Sequence, residues 1–253
     1  MLVAERHQKI IDLVDERKSV RVTELSQIFS VTEETIRRDL EKLEKEKKLS
    51  RSHGGAISIN PSDSLETPYF EREVTNVNEK KEIAFEAVKQ IVEGDKVILD
   101  ASTTAWYMAK SLPNISLTVL TNSIKVAMEL SSKGQITVIS TGGTLLSESL
   151  SFVGPLAETS LDSYHVKKAF ISCKGLHLAQ GISESNEQQA RMKKRMIDNA
   201  DTVYLMIDHS KFGIQTFSHI SDLEMINHII ADSQVDSNMI TQLEDKSLHL
   251  IKV

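Results

Sequence analysis

The stretch Val31-Thr32-Glu33-Glu34-Thr35-Ile36-Arg37-Arg38-Asp39-Leu40 reads as a tight break followed by the opening turns of a helix. The Thr32 hydroxyl suits a helix cap, and Glu33 and Glu34 suit the positive end of the helix dipole. At 100° per residue, with Ile36 as the core direction, Leu40 and Leu43 fall within about 40° of it. Glu34, Arg38, Glu41 and Lys45 then face almost directly away, with Arg37 on the flank. A helix that presents arginines outward beside a tight turn suits the major groove of double-stranded DNA. There arginine pairs with guanine O6 and N7 or with phosphates.

Upstream, Ile10, Ile11, Leu13 and Val14 share one face of a helix from Glu5 to Arg17. A second, short helix opens near Thr23 and packs through Leu25, Ile28 and Phe29 before the break at Ser30-Val31. Helix, turn, helix at this spacing is the helix-turn-helix pattern. The third helix runs to about Lys47, and Leu49 to Ile57, with Gly54-Gly55 at its centre, reads as a hairpin or wing. Lys47, Lys48, Arg51 and His53 form a run without an acid, as phosphate contacts from a wing require. Charge alone favours a solvated face, because Glu34, Asp39, Glu41 and Glu44 share the helix. The order of turn, cap, paired arginines and basic hairpin favours DNA.

The chain has 253 residues and a net charge of −6. Residues 1–60 hold 12 basic and 11 acidic residues and the remainder 18 and 25, so the acidity lies in the second part. Turn formers around Asn60-Pro61-Ser62-Asp63-Ser64 and Pro68 mark a linker. The expected organisation is a winged helix-turn-helix over 1–57, a linker over 58–77 and a second domain over 78–253.

In the second domain a charged helix from about Asn78 to Val92 precedes an alternation of strands and helices. Strands are expected at Val97–Leu99, Leu117–Leu120, Ile136–Ile139, Ala169–Ile171, Val203–Ile207, Ile229-Ile230 and Leu248–Ile251. The expected helices follow the first strand to Leu112, and span Ile124 to Leu130 and about Ser185 to Asn199. Such alternation predicts an α/β domain with a largely parallel sheet, whose ligands sit beyond the carboxyl ends of its strands. Asp100 and Ser102-Thr103-Thr104 follow the first strand, and hydroxyls with free amides at a helix start form either a phosphate cradle or an ordinary cap. Thr121-Asn122-Ser123, Gly142-Gly143, Ser172-Cys173-Lys174-Gly175 and Asp208-His209-Ser210-Lys211 end four further strands. One converging pocket is expected.

A single cysteine, Cys173, excludes an internal disulfide and fits a reducing, cytoplasmic compartment. It reads as a core filler. No apolar run reaches the ~18–20 residues that span a bilayer, and residues 1–7 hold no apolar stretch long enough for a secretory signal, so none is expected. Cys173 and the scattered histidines lack metal-ligand spacing, and no phosphate-loop or nucleophile-elbow motif occurs, so neither metal nor cofactor is expected.

The quoted stretch, followed by Arg51-Ser52-His53-Gly54-Gly55-Ala56, resembles the signature of the DeoR family of bacterial transcription regulators. The resemblance implies that Arg37 and Arg38 contact DNA and that Glu33 and Glu34 help set operator preference. Thr32 stands where the family usually has Ser, and keeps the hydroxyl. The DNA-facing set is then Thr32, Glu33, Glu34, Thr35, Arg37, Arg38, Lys45, Arg51 and His53.

The second domain is similar to that family's effector domain, which implies a fold like ribose-5-phosphate isomerase and a phosphorylated sugar as ligand. By that likeness Ser102, Thr103 and Thr104 hold phosphate, while Asp100, Asn122 and Lys211 line the sugar pocket. Thr121, Ser123, Gly142, Gly143 and Lys174 complete the candidate set. Ser102 stands where the family usually has Gly, which narrows the backbone approach, and Lys174 falls at a variable position. Ala101 to Tyr107 and Ser172 to Gly175 resemble the branch that regulates rhamnose use, which implies rhamnulose 1-phosphate. The expectation is a repressor acting as a homo-oligomer, dimer or tetramer, on operator DNA. The competing reading is an isomerase with a DNA-binding appendage. Isomerisation needs a general base, and Ser172-Cys173-Lys174-Gly175 lacks the acids that related isomerases carry there, so no catalytic residue is expected.

Overall fold

The computed structural model describes residues 3–17, 19–46, 48–52, 54–58, 67–244 and 248–253. The chain divides into two compact units, Met1–Leu65 and Glu66–Val253.

In the first unit, α1 (Val3–Arg17) leads through a short strand β1 (Ser19–Arg21) into α2 (Val22–Phe29) and α3 (Glu33–Lys45). The hairpin β2 (Leu49–Ser52) and β3 (Gly55–Ser58) follows. The break after α2 is a left-handed Ser30 (φ 52°), whose amide donates to Gln27 O and whose neighbour Val31 donates to Ser26 O. Thr32 caps α3, its Oγ1 accepting from the Thr35 amide at 3.2 Å. Ile10, Val14, Leu25, Ile36, Leu40 and Leu43 form the core with Leu49 and Ala56 from the hairpin.

β1 was not foreseen. It joins the hairpin as a third antiparallel strand in the order β1-β3-β2. This pairing explains Gly55, where a Cβ would stand 2.1 Å from Val20 O. The glycine pair therefore serves the sheet as well as the turn.

The second unit opens with α4 (Tyr69–Glu73) and α5 (Val77–Val88). The segment expected as linker thus falls in two parts. Residues 59–66 lie outside the described residues, and 67–77 folds onto the second unit, with Tyr69 only 1 % exposed. The charged helix ends at Val88 rather than Val92, and a turn follows in which Asp95 accepts from the Val92 amide.

Next in the chain come β4 (Lys96–Leu99), α6 (Thr103–Ser111), β5 (Leu117–Thr121), α7 (Ile124–Leu130) and β6 (Ile136–Ser140). A small hairpin, β7 (Thr144–Leu146) and β8 (Ser151–Val153), precedes α8 (Pro155–Asp162) and β9 (Val166–Ile171). β10 (Gly175–His177), β11 (Gly181–Glu184), α9 (Glu187–Asp198) and β12 (Ala200–Met206) follow. The chain continues through β13 (Ser218–Ser221), β14 (His228–Ala231), α10 (Ser237–Glu244) and β15 (His249–Lys252).

The main sheet has seven parallel strands in the order β15-β14-β12-β9-β4-β5-β6. Continuous apolar runs such as Val97-Ile98-Leu99 are buried on both faces, as a sheet covered by helices requires. β10, β11 and β13 form a second, antiparallel sheet. That sheet, the β7–β8 hairpin and α8 were not foreseen. Their strands are three or four residues long, too short to show an alternating pattern.

The strand order has one functional consequence. From β4 the chain runs outward through β5 and β6, whereas from β9 it runs outward the other way through β12, β14 and β15. β4 and β9 are neighbours, and the two flanking loops diverge at their carboxyl ends. Doubly wound sheets bind ligands at this reversal point.

Candidate functional site

Two surfaces carry the chemistry, one in each unit. On α3, Ile36, Leu40 and Leu43 are buried, while Arg37, Arg38 and Lys45 are exposed. Each of these three bases is held by an acid one turn before it. Arg37 meets Glu33 at 2.6 Å, Arg38 meets Glu34 at 3.4 Å, and Lys45 meets Glu41 at 2.8 Å. Glu34 is exposed, Glu33 and Thr35 are half-buried, and the Thr35 hydroxyl meets the Thr32 hydroxyl at 2.9 Å.

Asp39 stands apart from the solvated face on which its charge placed it. It is buried, and its carboxylate receives Arg6 Nε at 2.6 Å and Arg6 Nη2 at 3.1 Å, with His7 Nε2 at 2.9 Å. Its role is to clamp α3 to α1. Of the expected wing contacts, Lys48 is exposed, His53 and Lys47 lie outside the described residues, and so does the side chain of Arg51.

In the second unit a cleft of about 190 Å³ lies at the β4/β9 reversal point. The strand end after β4 contributes Ser102, Thr103 and Thr104, the one after β9 Ser172, Cys173 and Lys174, and the one after β12 Asp208 and Lys211. Ser102 Oγ caps α6 by accepting from the Ala105 amide at 3.0 Å. The amides of Thr103 and Thr104 are left without an intrahelical acceptor, at the positive end of the helix. The cradle and the cap are therefore one structure.

The cleft's charge is mostly positive. Arg72, Lys80, Lys174, Lys193 and Lys211 line it, against Glu184 and Asp208. Lys80 is 6 % exposed, and its Nζ donates to the carbonyls of Arg72 (2.5 Å) and Thr75 (2.6 Å). Burial, reinforced by the nearby Lys211, Arg72 and Lys174, pulls the Lys80 ammonium down to about 8 although Asp208 opposes it. Asp208 is held below the usual carboxylate range. Its burial works the other way, but Lys211 and hydrogen bonds from Ser210 and Asn76 outweigh it. Burial pushes the Cys173 thiol up to about 12, so it is inert at neutral pH.

The segment after residue 66 forms one wall. Lys174 Nζ donates to Thr67 Oγ1 at 2.7 Å, Arg72 Nε to Thr67 O at 2.9 Å, and Asn76 Nδ2 to Asp208 Oδ1 at 2.9 Å. Asn76 adopts φ 49°, the left-handed conformation Asn tolerates better than most residues.

Of the candidate effector residues, the structure brings together Ser102, Thr103, Thr104, Lys174 and Lys211. It places the others elsewhere. Asp100 is fully buried beneath the floor, where Oδ1 accepts from the Ser102 amide and Oδ2 from the Ser172 amide, tying the two strand ends together. Thr121, Asn122 and Ser123 do not line the cleft, because β5 lies beyond β4 on the side away from β9. Thr121 Oγ1 accepts from the Ser123 amide, Ser123 Oγ caps α7, and Asn122 Nδ2 donates to Phe152 O. Gly142 and Gly143 follow β6, farther still. At Gly143 (φ 114°) a Cβ would stand 2.7 Å from Val153 O, so that glycine permits close packing of the β8 strand.

Sequence reasoning missed Arg72, Asn76, Lys80, Glu184, Ser185 and Lys193. A signal existed for two of them. Lys80 stands three and four residues before the buried Ile83 and Ala84, and Lys193 stands between the buried Ala190 and Ile197. A lysine on the apolar stripe of a helix is a lysine facing inward.

Comparison with known proteins places these surfaces in context. Residues 6–62 match the DeoR-like helix-turn-helix domain, and residues 75–233 match the DeoR C terminal sensor domain. The chain is 61 % identical over its full length to the HTH-type transcriptional regulator YulB of Bacillus subtilis, whose function is uncharacterised, covering 98 % of that protein. It is 36 % identical to the L-fucose operon activator of Haemophilus influenzae, covering 92 % of this chain and 94 % of that one. It is 31 % identical to the glycerol-3-phosphate regulon repressor of Escherichia coli, covering 99 % of each. Among solved structures, ribose 5-phosphate isomerase A from Methanocaldococcus jannaschii is similar over 55 % of each chain, with 19 % identity and a TM-score of 0.42.

Proposed function

Because the chain belongs to the DeoR family of helix-turn-helix transcriptional regulators, we propose that it represses a sugar-catabolic operon and is controlled by a phosphorylated sugar bound in the cationic cleft. The observation that carries the reading is the meeting of the α6 amides and Ser102–Thr104 hydroxyls with Lys80, Lys174 and Lys211 at the sheet's reversal point. Free amides at a helix start and partly desolvated ammonium groups are the arrangement that a phosphate dianion neutralises. Burial and neighbouring cations lower the Lys80 ammonium, so an arriving anion gains more there than at a solvated lysine.

The DNA-facing set is Arg37, Arg38 and Lys45 on α3, with Thr32, Glu33, Glu34 and Thr35 at its start and Arg51 and His53 from the wing. Repression through a palindromic operator calls for a homo-oligomer, dimer or tetramer, in the cytoplasm. Effector and operator are linked only if the ligand binds the DNA-competent and released states with different affinity. We assign that linkage to the linker around Pro61–Pro68 and the charged helix after it, α5. This stretch brings Thr67, Arg72, Thr75 and Asn76 to the cleft, and α5 adds Lys80.

For the effector itself, a deoxyhexulose phosphate such as rhamnulose 1-phosphate fits best. The likeness of residues 101–107 and 172–175 to the rhamnose branch supports it. So does relation to the L-fucose operon activators, since fucose is also a 6-deoxyhexose.

A thermal-shift panel of free and phosphorylated sugars, read alongside operator binding, tests the proposal. A ligand at 100 times its Kd stabilises the fold by about 2.7 kcal/mol. The same compound should release the operator. Stabilisation by free sugars but not by their phosphates would overturn the reading.

A further inference from the structure

Glu184, the last residue of β11, lines the cleft while only 8 % exposed. Its Oε1 accepts from Lys193 Nζ at 2.6 Å. The same ammonium donates to Ser172 O at 2.6 Å and lies 3.2 Å from Asp100 Oδ2, so its three protons are all accounted for. Burial alone would neutralise Lys193, but Glu184 and Asp100 outweigh it and hold the ammonium charged. One Glu184 oxygen is thereby committed to Lys193.

The other oxygen is not. Glu184 Oε2 makes no hydrogen bond with any described residue. Beside it Ser185, 4 % exposed, also lines the cleft, and its Oγ is buried without a hydrogen-bond partner among the described residues. Buried polar atoms are nearly always paired, so the unpartnered Ser185 Oγ, next to a Glu184 oxygen not committed to any described residue in the same cavity, marks the place of a ligand that supplies partners to both. A carboxylate oxygen takes only donors, and a serine hydroxyl takes either kind. The ligand groups that satisfy both are adjacent hydroxyls.

We infer that Glu184 and Ser185 are the residues that select the sugar. Glu184 Oε2 accepts from one hydroxyl, Ser185 Oγ bonds its neighbour, and the amides of Thr103 and Thr104 with Lys80 hold the phosphate. This rests on the sugar-phosphate reading of the cleft and adds the chemical class read at its other end. The ligand is a polyhydroxylated ketose phosphate, and an ionised Glu184 rejects sugar acids through like charge. A site built to bond a hydroxyl discriminates strongly against analogues that lack it, because its own polar groups are then left unpaired.

Calorimetric titration of the full chain with inorganic phosphate, dihydroxyacetone phosphate, rhamnulose 1-phosphate, fuculose 1-phosphate and fructose 1-phosphate tests the inference. In wild type, at least one ketose 1-phosphate should bind tenfold or more tighter than inorganic phosphate. Glu184→Gln turns the free oxygen into a donor. It should weaken that ketose phosphate at least tenfold while inorganic phosphate stays within twofold. Ser185→Ala, a change small enough to keep the fold, should weaken it at least threefold and carries the test if Glu184→Gln does not fold. An unchanged ketose-phosphate Kd in the folded variants overturns the inference, as does an equal loss for ketose phosphate and inorganic phosphate. Absence of binding by every phosphorylated compound to wild type instead overturns the sugar-phosphate reading, and this inference with it.

Discussion

The Asp39 carboxylate accepts two hydrogen bonds from the Arg6 guanidinium, at 2.6 and 3.1 Å, across 33 residues of sequence. The pair sits on the back of α3, one residue after the exposed Arg38. The helix that presents arginines outward is thus anchored inward by a charge of its own.

Removing one partner of a buried ion pair leaves the other unpaired. Asp39→Ala should therefore destabilise the first unit by about 3 kcal/mol. Burial raises this carboxyl, but the hydrogen bonds from Arg6 and His7 outweigh burial and hold it below the ordinary range. Its stabilising contribution is complete above the unfolded value of about 3.9 and drains away as pH falls through the lower folded value. Hydrogen exchange at α3 amides, corrected for the intrinsic exchange rate, should show wild-type protection falling between pH 4 and pH 2, and Asp39→Ala less protected at pH 5 and with a weaker pH dependence.

Arg38 is 78 % exposed at its side chain, so its loss should cost DNA binding and little stability. Arg38→Ala should weaken operator affinity by about 1–3 kcal/mol if it makes a bidentate base contact. Glu34→Gln frees the same guanidinium from an exposed pair worth only about 0.3–0.5 kcal/mol. It should tighten binding to non-operator DNA slightly. Titrations at two salt concentrations separate the cases, because a lost phosphate contact also lowers the salt slope by about one.

Lys80 should give effector binding a pH dependence. Its ammonium titrates at about 8, so charge is present below that pH and lost above it. A phosphate monoester gains its second charge near pH ~6. Affinity should rise from pH 6 to 7 and fall above about 8, and Lys80→Met should bind more weakly and lose the alkaline limb. A flat wild-type profile from pH 7 to 9 would show that Lys80 does not face the ligand.

Thr103 lies at the first position of α6, facing the cleft. Thr103→Glu puts a carboxylate where the phosphate is proposed to sit. It should abolish the thermal shift with phosphorylated sugars and leave operator affinity within twofold of wild type. Loss of both functions together would point to misfolding rather than to the site.

Cys173 should resist alkylation. It is 4 % exposed, and burial pushes its thiol up to about 12. Iodoacetamide at pH 8 should leave it unmodified in the native protein and modify it fully in urea, as intact mass would show.

Much of this was legible in the chain. The cap at Thr32, the outward arginines and the break at Ser30 depend on neighbours within a few residues, and the structure reproduces each. The seven strands of the parallel sheet and the helices α6, α7 and α9 were equally readable, because apolar runs alternate with helical stretches, whereas the short antiparallel strands, α8 and α10 were not. The inward-facing charges were harder to see. Asp39, Lys80 and Lys193 look like solvated charge by composition, and only their place on an apolar stripe sets them apart.

The sequence by itself determined the local pieces: where helices begin, which strand ends carry hydroxyls, and which arginines point away from a core. Hydrogen bonds and side-chain periodicity act over one or two turns, so they are written in neighbouring residues. Only the tertiary structure decided which strand ends meet. The five candidate tips are alike in composition, yet β5 and β6 lie outward of β4 while β9 lies beside it. Thr121–Ser123 and Gly143 became packing devices for that reason, and Ser102–Thr104 came to face Lys174, Lys80 and Glu184 across one cleft. Strand order is set by the burial of whole helices on either face of the sheet, an energy shared by residues far apart in the chain.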